Sequence, residues 1–137
     1  MSDKTANVSQ PRDYALIVEK DVKIPLRDGT LLYGDIFRPD GGAERFPVIM
    51  NIGPYQKDKL WIPPGTLEEK PTPHMNWETV TPEWWVPKGY AAVRVDGRGS
   101  GKSPGQCEPW SLAEAIDFYD AIEWAAAQPW CNGKVGL

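Results

Sequence analysis

The sequence predicts an α/β fold in which an antiparallel hairpin leads into a mostly parallel sheet. Residues 90–96 are typical of a short strand, and a glycine-rich turn follows over residues 97–105. A helix is predicted from about Ser111, and residues 128–137 turn into another strand. A strand, a tight turn, a helix and a further strand form a βαβ unit of a parallel sheet. Because the sequence reaches Leu137 inside this strand, we expect the front part of a longer domain.

The predicted hairpin occupies the first forty residues. Residues 16–26 alternate, which predicts a half-buried strand. Its apolar side would carry Leu16, Val18, Val22, Ile24 and Leu26. Asp28-Gly29 is a hairpin-turn signal. The return strand runs over residues 31–38, and residues 39–42 end it.

A third strand and a long irregular segment follow the hairpin. Residues 47–52 form a continuous apolar run, as expected for a strand buried on both faces. Residues 53–80 have no periodicity and contain five prolines. A loop of this length in a compact domain is usually functional or disordered, and its aromatic content argues against disorder. We therefore interpret it as part of an active-site rim.

Two helices are predicted around the strand at residues 90–96. A short one begins at Pro82, with Thr81 as N-cap. The main helix begins after Ser111, which forms a capping box with Glu114. Apolar residues four, seven and eleven positions apart predict its packing face. They are Ala115, Tyr119, Ile122 and Ala126.

Composition narrows the function classes. The 137 residues carry a net charge of −4 and a pI near 5.0, so nothing indicates nucleic-acid binding. No apolar run approaches the roughly 18 residues of a membrane helix, and the first residues lack a signal-peptide core. We expect a cytoplasmic protein with a disordered tail over residues 1–13 and one structural unit over residues 14–137. Cys107 and Cys131 are expected to be reduced, packed thiols, and no metal or cofactor is expected.

Seven tryptophans form a compositional excess. Trp124 lies on the main helix, where packing in the core explains it best. Trp61 and Trp77 lie in the irregular loop, where an aromatic substrate pocket and simple core filling are about equally good explanations.

The glycine-rich turn contains Gly-Lys-Ser, which ends the P-loop pattern. That pattern requires a glycine where this chain has Asp96, and a carboxylate there would face the phosphates. A P-loop helix also begins at once, whereas this helix waits until Ser111. Nucleotide binding therefore remains only as a rival hypothesis.

No catalytic serine or histidine can be assigned from the pattern. His74 is the single histidine and lies in the irregular loop without an evident partner, as an ordinary surface histidine would. None of the five serines lies in a G-x-S-x-G nucleophile elbow.

An ordered set of short motifs nevertheless resembles the cocaine esterase/X-Pro dipeptidyl-peptidase (CocE/NonD) family of serine hydrolases. The set runs from about Val18 to the last residue at matching spacing. It comprises Asp28-Gly29, Arg38-Pro39, Pro54-Tyr55, Lys57-Asp58, Gly89-Tyr90, Asp96 to Gly101 with Ser103 and Gly105, Asp117, Ile122 to Trp124, Gln128 to Trp130, and Asn132 to Gly136. Each piece alone is weak, but the ordered set is specific.

The resemblance implies an α/β-hydrolase fold and a role for a few residues. Tyr55 matches the tyrosine whose hydroxyl donates to the oxyanion in this family. Asp96, Arg98, Gly99 and Gly101 match a shaped turn near the site that is structural rather than catalytic. Arg98 would pair with Asp96 or with a carboxylate elsewhere.

The resemblance also implies the reaction. A Ser–His–Asp triad beyond residue 137 would cleave a small-molecule ester or amide through an acyl-enzyme. The substrate and the choice between ester, amide and dipeptide remain open, and homo-oligomers would form through C-terminal parts. The alternative is a truncated, non-catalytic homologue acting as a binding module.

Overall fold

The computed structural model describes residues 13–59 and 61–137. The predicted disordered tail, apart from Asp13, lies outside the described residues. The strands are β1 Leu16–Pro25, β2 Leu31–Pro39, β3 Phe46–Gly53, β4 Ala91–Asp96 and β5 Cys131–Gly136. The helices are α1 Pro82–Trp85, a 3-10 turn Val86–Lys88 that continues it, and α2 Leu112–Ala126.

All five strands form one sheet in the order β1-β2-β4-β3-β5. β1 pairs with β2 and β2 with β4 in antiparallel orientation, whereas β3 is parallel to both β4 and β5. The chain therefore leaves β4, passes through α2 and returns on the far side of β3. This arrangement confirms the predicted hairpin and βαβ unit.

The turn between β1 and β2 forms as its sequence predicts. Gly29 has φ of 85°, the left-handed region that glycine adopts without a steric cost. The Asp28 carboxylate accepts a hydrogen bond of 3.0 Å from the Thr30 N–H, and Leu26 N–H donates to the Thr30 carbonyl at 2.8 Å. These local bonds define the conformation of the hairpin turn.

A β-bulge near the middle of β1 changes which side chains face the core. Asp21 has φ of 54°, and the pairing of β1 with β2 shifts by one residue at this point. An extra residue moves the following side chains to the opposite face of the sheet. Leu16 accordingly packs with Phe37 on one face, and Ile24 lies in the larger core on the other. The prediction that the apolar residues of this strand share one side is therefore wrong.

The larger core lies between the sheet and α2, and a smaller one lies on the other face. β3 alternates accordingly: Val48, Met50 and Ile52 are buried, whereas Ile49 and Asn51 are half-buried. The prediction of a strand buried on both faces is thus correct for one face of β3, whereas the other face is only half-buried. Its second face is covered less completely because no long helix of the described residues packs there.

Both predicted helix starts are found, with one difference in capping. The Ser111 hydroxyl accepts from the Glu114 N–H at 3.1 Å, which confirms the N-cap of α2. Thr81 has extended backbone and precedes Pro82, but its side chain makes no capping hydrogen bond. α1 is therefore held by Pro82 and by packing rather than by a side-chain cap.

The face of α2 that packs on the sheet agrees with the predicted one only in part, since Ile122 packs against the core as predicted. Ala115 and Tyr119 are exposed, and the buried positions are Asp117, Ala121 and Ala125. Small alanines let the helix approach the sheet closely. The apolar pattern was misleading because the buried stripe begins with a charged residue, whose burial depends on an ion pair described below.

The register of β2 predicts which of two adjacent leucines contributes more to the free energy of unfolding. Leu32 is fully buried, while the adjacent Leu31 is 37% exposed on the other face. We expect Leu32→Ala to lower the free energy of unfolding by about 2–5 kcal/mol, because it leaves a cavity in the core. Urea unfolding should show a clearly smaller loss for Leu31→Ala. Equal losses, or the reverse order, would contradict the register.

Candidate active site

A cavity of about 310 Å³ opens at the carboxyl ends of β3 and β4. Its walls come from the end of β3 with residues 53–55, from the turn at residues 97–100, from residues 106–111, and from the first two turns of α2. In open α/β sheets, ligands bind in crevices outside the carboxyl ends of parallel strands. The position of this cavity therefore makes it the candidate active site.

Tyr55 lies at the mouth of this cavity, two residues after β3 ends. Its side chain is 51% exposed. Trp110 also lines the cavity; its φ is 64° and it is 97% exposed. Cys107 also lines the cavity and is exposed, whereas Cys131 is buried. The expectation of a free thiol holds for both cysteines, and that of a packed thiol is wrong for Cys107.

The turn after β4 is organised around the carboxylate of Asp96, which is 1% exposed. Asp96 Oδ1 accepts the backbone N–H of Lys57 at 2.8 Å, and Oδ2 accepts the backbone N–H of Lys102 at 2.9 Å. A Cβ at Gly101 would lie 2.1 Å from Oδ2, so only glycine fits there. Gly99 is similarly confined, because a Cβ would lie 2.2 Å from the Cys107 nitrogen.

Arg98 finds its partners outside this turn. Its Nε and Nη2 donate to the two carboxylate oxygens of Asp117 at 2.8 and 2.9 Å, a bidentate geometry. Nη2 also lies 2.9 Å from Asp28, and Nη1 donates to Thr30 at 3.0 Å. The hydrogen bond with Asp117 is the main reason that the pKa of Arg98 is raised. Arg98 thus joins the hairpin turn to α2, and its partner is not Asp96.

The sequence analysis left the partner of Arg98 open between Asp96 and a carboxylate elsewhere, and it did not identify Asp117. Asp28 and Asp117 both belonged to the motif set, but no local signal connected them with Arg98 across the fold. The available signal was an aspartate on the predicted helix. If that aspartate lies on the packed face, it must have a partner, because a carboxylate is buried only when it is paired.

Three lysines and three aspartates interlock on the sheet face opposite α2. We call this set the ion-pair cluster; its members are Lys20, Asp21, Asp35, Lys57, Asp58 and Lys102. Lys57 Nζ lies 2.5 Å from Asp21, 3.0 Å from Asp35 and 2.8 Å from Asp58. Its side chain is 1% exposed. Lys20 also pairs with Asp35 and Asp58, and Lys102 with Asp21 and Asp58.

The cluster raises the pKa of Lys57 and lowers the pKa of Asp58. Burial alone would lower the pKa of Lys57, but hydrogen bonds with Asp21, Asp58 and Asp35 outweigh it and raise that pKa. Burial alone would raise the pKa of Asp58, but bonds from Lys20 and Lys57 lower it well below the ordinary value. These carboxylates are therefore neutralised by the protein's own ammonium groups. Within residues 13–59 and 61–137, no group of three or more His, Cys, Asp or Glu side chains could hold a metal ion.

The two tryptophans singled out in the sequence lie in different places. Trp77 lines a small cleft together with Tyr55. Trp61 lines a separate cavity of about 300 Å³, whose walls include His74 and Arg94. The structure thus brings Trp77, but not Trp61, to Tyr55.

His74 has a partner that the sequence did not reveal. Its Nδ1 lies 2.6 Å from Glu83, whose carboxylate also accepts the His74 backbone N–H at 3.0 Å. The neighbouring Arg94 donates to the carbonyls of His74 and Val80, and burial lowers the pKa of Arg94 to about 10. This group fixes the irregular loop against the sheet, and His74 does not line the cavity of Tyr55.

The serine hydroxyls in the described part of the chain are engaged in structural bonds. Ser100 donates to the carbonyls of Gly97 and Gly53, and Ser103 donates to the carbonyl of Asp96. Ser111 caps α2. The Lys102 N–H points at a carboxylate instead of an open anion site, so this turn does not have the geometry of a P-loop.

No helix in the described part of the chain is long and apolar enough to cross a membrane.

The ion-pair cluster makes stability depend on pH. The pKa of Asp58 is lowered in the folded state, so Asp58 stabilises the fold above its unfolded pKa and this contribution is lost as the pH falls. We therefore expect the free energy of unfolding to decline on acidification below about pH 5. Asp58→Asn should make the decline shallower in urea unfolding across pH. An unchanged slope would contradict the assigned role of Asp58.

Comparison with known proteins places the chain in a family. The family model for X-Pro dipeptidyl-peptidase (S15 family) matches residues 28–137. A cocaine esterase from Rhodococcus sp. (strain MB1 Bresler) is 34% identical over 122 residues, which are 88% of this chain and 18% of that protein.

Solved structures agree with the sequence matches. A CocE/NonD family hydrolase from Staphylococcus aureus is 45% identical with a TM-score of 0.78, over 88% of this chain and 22% of that one. An α-amino acid ester hydrolase is 24% identical with a TM-score of 0.62, over 99% and 24% of the two chains, and supports the fold alone. The chain therefore spans about a fifth of the length of these relatives.

These matches confirm the predicted α/β-hydrolase fold, with its antiparallel hairpin leading into parallel strands. The motif set that suggested the family in the sequence lies mainly within the matched residues 28–137. The chain belongs to the X-Pro dipeptidyl-peptidase (S15) family.

Proposed function

We propose that this chain forms part of a serine hydrolase that cleaves a small-molecule ester or amide, and that Tyr55 is its oxyanion donor. The observation that carries the proposal is the position of Tyr55. Its half-exposed side chain lies at the mouth of the cavity outside the carboxyl ends of β3 and β4, in a member of a hydrolase family.

The chemistry requires a donor at this place. A serine that attacks an ester or amide carbonyl converts the carbonyl oxygen to an oxyanion in a tetrahedral intermediate. A preorganised hydroxyl aimed at that oxygen stabilises the transition state more than the ground state, because the charge develops only during the reaction. Tyr55 would supply this hydroxyl, and a backbone N–H next to the nucleophile would be the second donor.

The triad itself is proposed to lie outside these 137 residues. The hydroxyls of Ser100, Ser103 and Ser111 are engaged in the turn and the helix cap, and His74 is paired with Glu83 at another cavity. The matched relatives are four to five times longer than this chain. This segment would therefore contribute the oxyanion donor and one wall of the pocket.

The substrate class follows from the relatives and the cavity wall. One of the relatives is named as a cocaine esterase, which supports ester cleavage. Trp77 beside Tyr55 and Trp110 in the cavity wall offer apolar surface to a substrate. We accordingly keep Trp77 in the proposed pocket and leave Trp61 outside it.

Removal of the Tyr55 hydroxyl tests its role. In the intact hydrolase, Tyr55→Phe should lower kcat about 10²–10³-fold, because one oxyanion donor contributes roughly 2.7–4 kcal/mol to transition-state stabilisation. Tyr119 is similarly exposed on α2 but does not line the cavity, so Tyr119→Phe is the matched control. Steady-state hydrolysis of a p-nitrophenyl ester gives both values. Equal activity of the two variants would contradict the role of Tyr55.

The isolated 137-residue chain should not turn over p-nitrophenyl esters, since the proposed nucleophile and base lie elsewhere. The measurement is the rate of p-nitrophenolate release against buffer, with the intact hydrolase as the positive control. Robust turnover that survives purification would show that the chain carries its own nucleophile, which contradicts the proposed division of roles.

A further inference from the structure

We infer that Lys57 is the positioning residue for Tyr55: through its backbone N–H and its buried ammonium group it holds Tyr55 at the cavity. The inference rests on the proposed role of Tyr55 and adds the device that keeps its hydroxyl aimed. Lys57 does not line the cavity at the carboxyl ends of β3 and β4, although it shares the small cleft of Trp77 with Tyr55. We therefore expect it to act on the reaction through Tyr55.

The chain is fixed to the turn after β4 on both sides of Tyr55. Before it, the Gly53 carbonyl accepts the Gly97 N–H at 3.1 Å and the Ser100 hydroxyl at 3.2 Å. After it, the Lys57 N–H donates to the buried Asp96 carboxylate at 2.8 Å. Only three residues lie between these two attachments. The backbone of Tyr55 therefore has little freedom as long as both are intact.

The segment between the attachments contains a backbone conformation that is unfavourable in the absence of tertiary contacts. Gln56 has φ of 67°, the left-handed region that is unfavourable for residues with a side chain. Such a conformation is strained and persists only where the surroundings enforce it. The enforcing contact next in the chain is Lys57, so releasing Lys57 should let Gln56 relax and Tyr55 turn.

The ammonium group of Lys57 is the second attachment after Tyr55. It lies within 3.0 Å of Asp21, Asp35 and Asp58, and Asp35 is itself buried on β2. Breaking a buried pair by removing one partner is strongly unfavourable, which makes this attachment rigid. Lys57 thus connects the loop of Tyr55 to β1 and β2 as well as to β4.

Lys20 provides a matched control within the same cluster. It also pairs with Asp35 and Asp58, but its side chain is half-exposed and it lies on β1, far along the chain from Tyr55. Lys20→Met and Lys57→Met each remove one positive charge from the ion-pair cluster. Only the second removes an attachment next to Tyr55, namely the ammonium group, and it leaves the Lys57 N–H bond to Asp96 in place.

The test compares these variants in the intact hydrolase, with active sites titrated so that kcat refers to folded enzyme. We expect Lys57→Met to lower kcat about ten- to a hundredfold with a much smaller change in KM, since misplacement of a catalytic group by about 1 Å can cost 10²-fold. Lys20→Met should remain close to the unsubstituted enzyme. In the Tyr55→Phe background, Lys57→Met should cost little more, because residues that act through one another are not additive.

Each outcome has one meaning. Equal kcat for Lys57→Met and Lys20→Met, or a full additional loss in the Tyr55→Phe background, would overturn the positioning role while leaving the role of Tyr55 intact. Full activity of Tyr55→Phe itself would instead overturn the proposed function.

A measurement on the unsubstituted protein decides the matter if Lys57→Met does not fold. Hydrogen exchange should show the Lys57 amide as much slower than the other amides of residues 54–80, because its partner is a buried carboxylate. An exchange rate like that of the surrounding loop would overturn the inference.

Discussion

The carboxylate of Asp96 joins two loops that would otherwise leave the sheet independently. It is buried at the end of β4, and its oxygens accept the N–H of Lys57 from one loop and of Lys102 from the other. A buried carboxylate is tolerated only when such donors satisfy it, and each charge-assisted bond of this kind is stronger than a neutral one. This side chain therefore helps to hold together two segments that line the candidate active site. Gly101 is glycine because no larger residue could approach that carboxylate.

On both sides of this turn, charged side chains connect the loops to the neighbouring helix and strands. Arg98 binds Asp117 on α2 and Asp28 in the hairpin, while Lys57 binds carboxylates of β1 and β2 through the ion-pair cluster. The apolar core cannot supply these connections, because it packs on the faces of the sheet and the connections lie at the ends of the strands. The result is a rigid cavity wall with a half-exposed tyrosine at its mouth. Rigidity of this kind is what a preorganised donor requires.

Sequence reasoning succeeded where the determining contacts are local. The Asp28-Gly29 turn and the Ser111 cap are each fixed by hydrogen bonds within three residues, so their signals survive in the sequence. It failed where contacts between residues far apart in the sequence determine the local structure. The bulge at Asp21 is held by Lys57 and Lys102, and the burial of Asp117 depends on Arg98. Alternation and helical periodicity contain no information about such partners. The assignment of Tyr55 as the oxyanion donor came only from the family resemblance. The residue by itself would be interpreted as an ordinary aromatic side chain at the rim of a pocket.

The most direct test of the account is a crystal structure of the intact hydrolase inhibited by a phosphonate, whose tetrahedral phosphorus imitates the intermediate. The account predicts that the Tyr55 hydroxyl lies about 2.7–3.1 Å from a non-bridging phosphonyl oxygen, the distance expected of an oxyanion donor. The Lys57 N–H should still be bound to Asp96 in that complex. A phosphonyl oxygen held by other donors, with the Tyr55 hydroxyl turned away from it, would contradict the assignment of Tyr55 as the oxyanion donor.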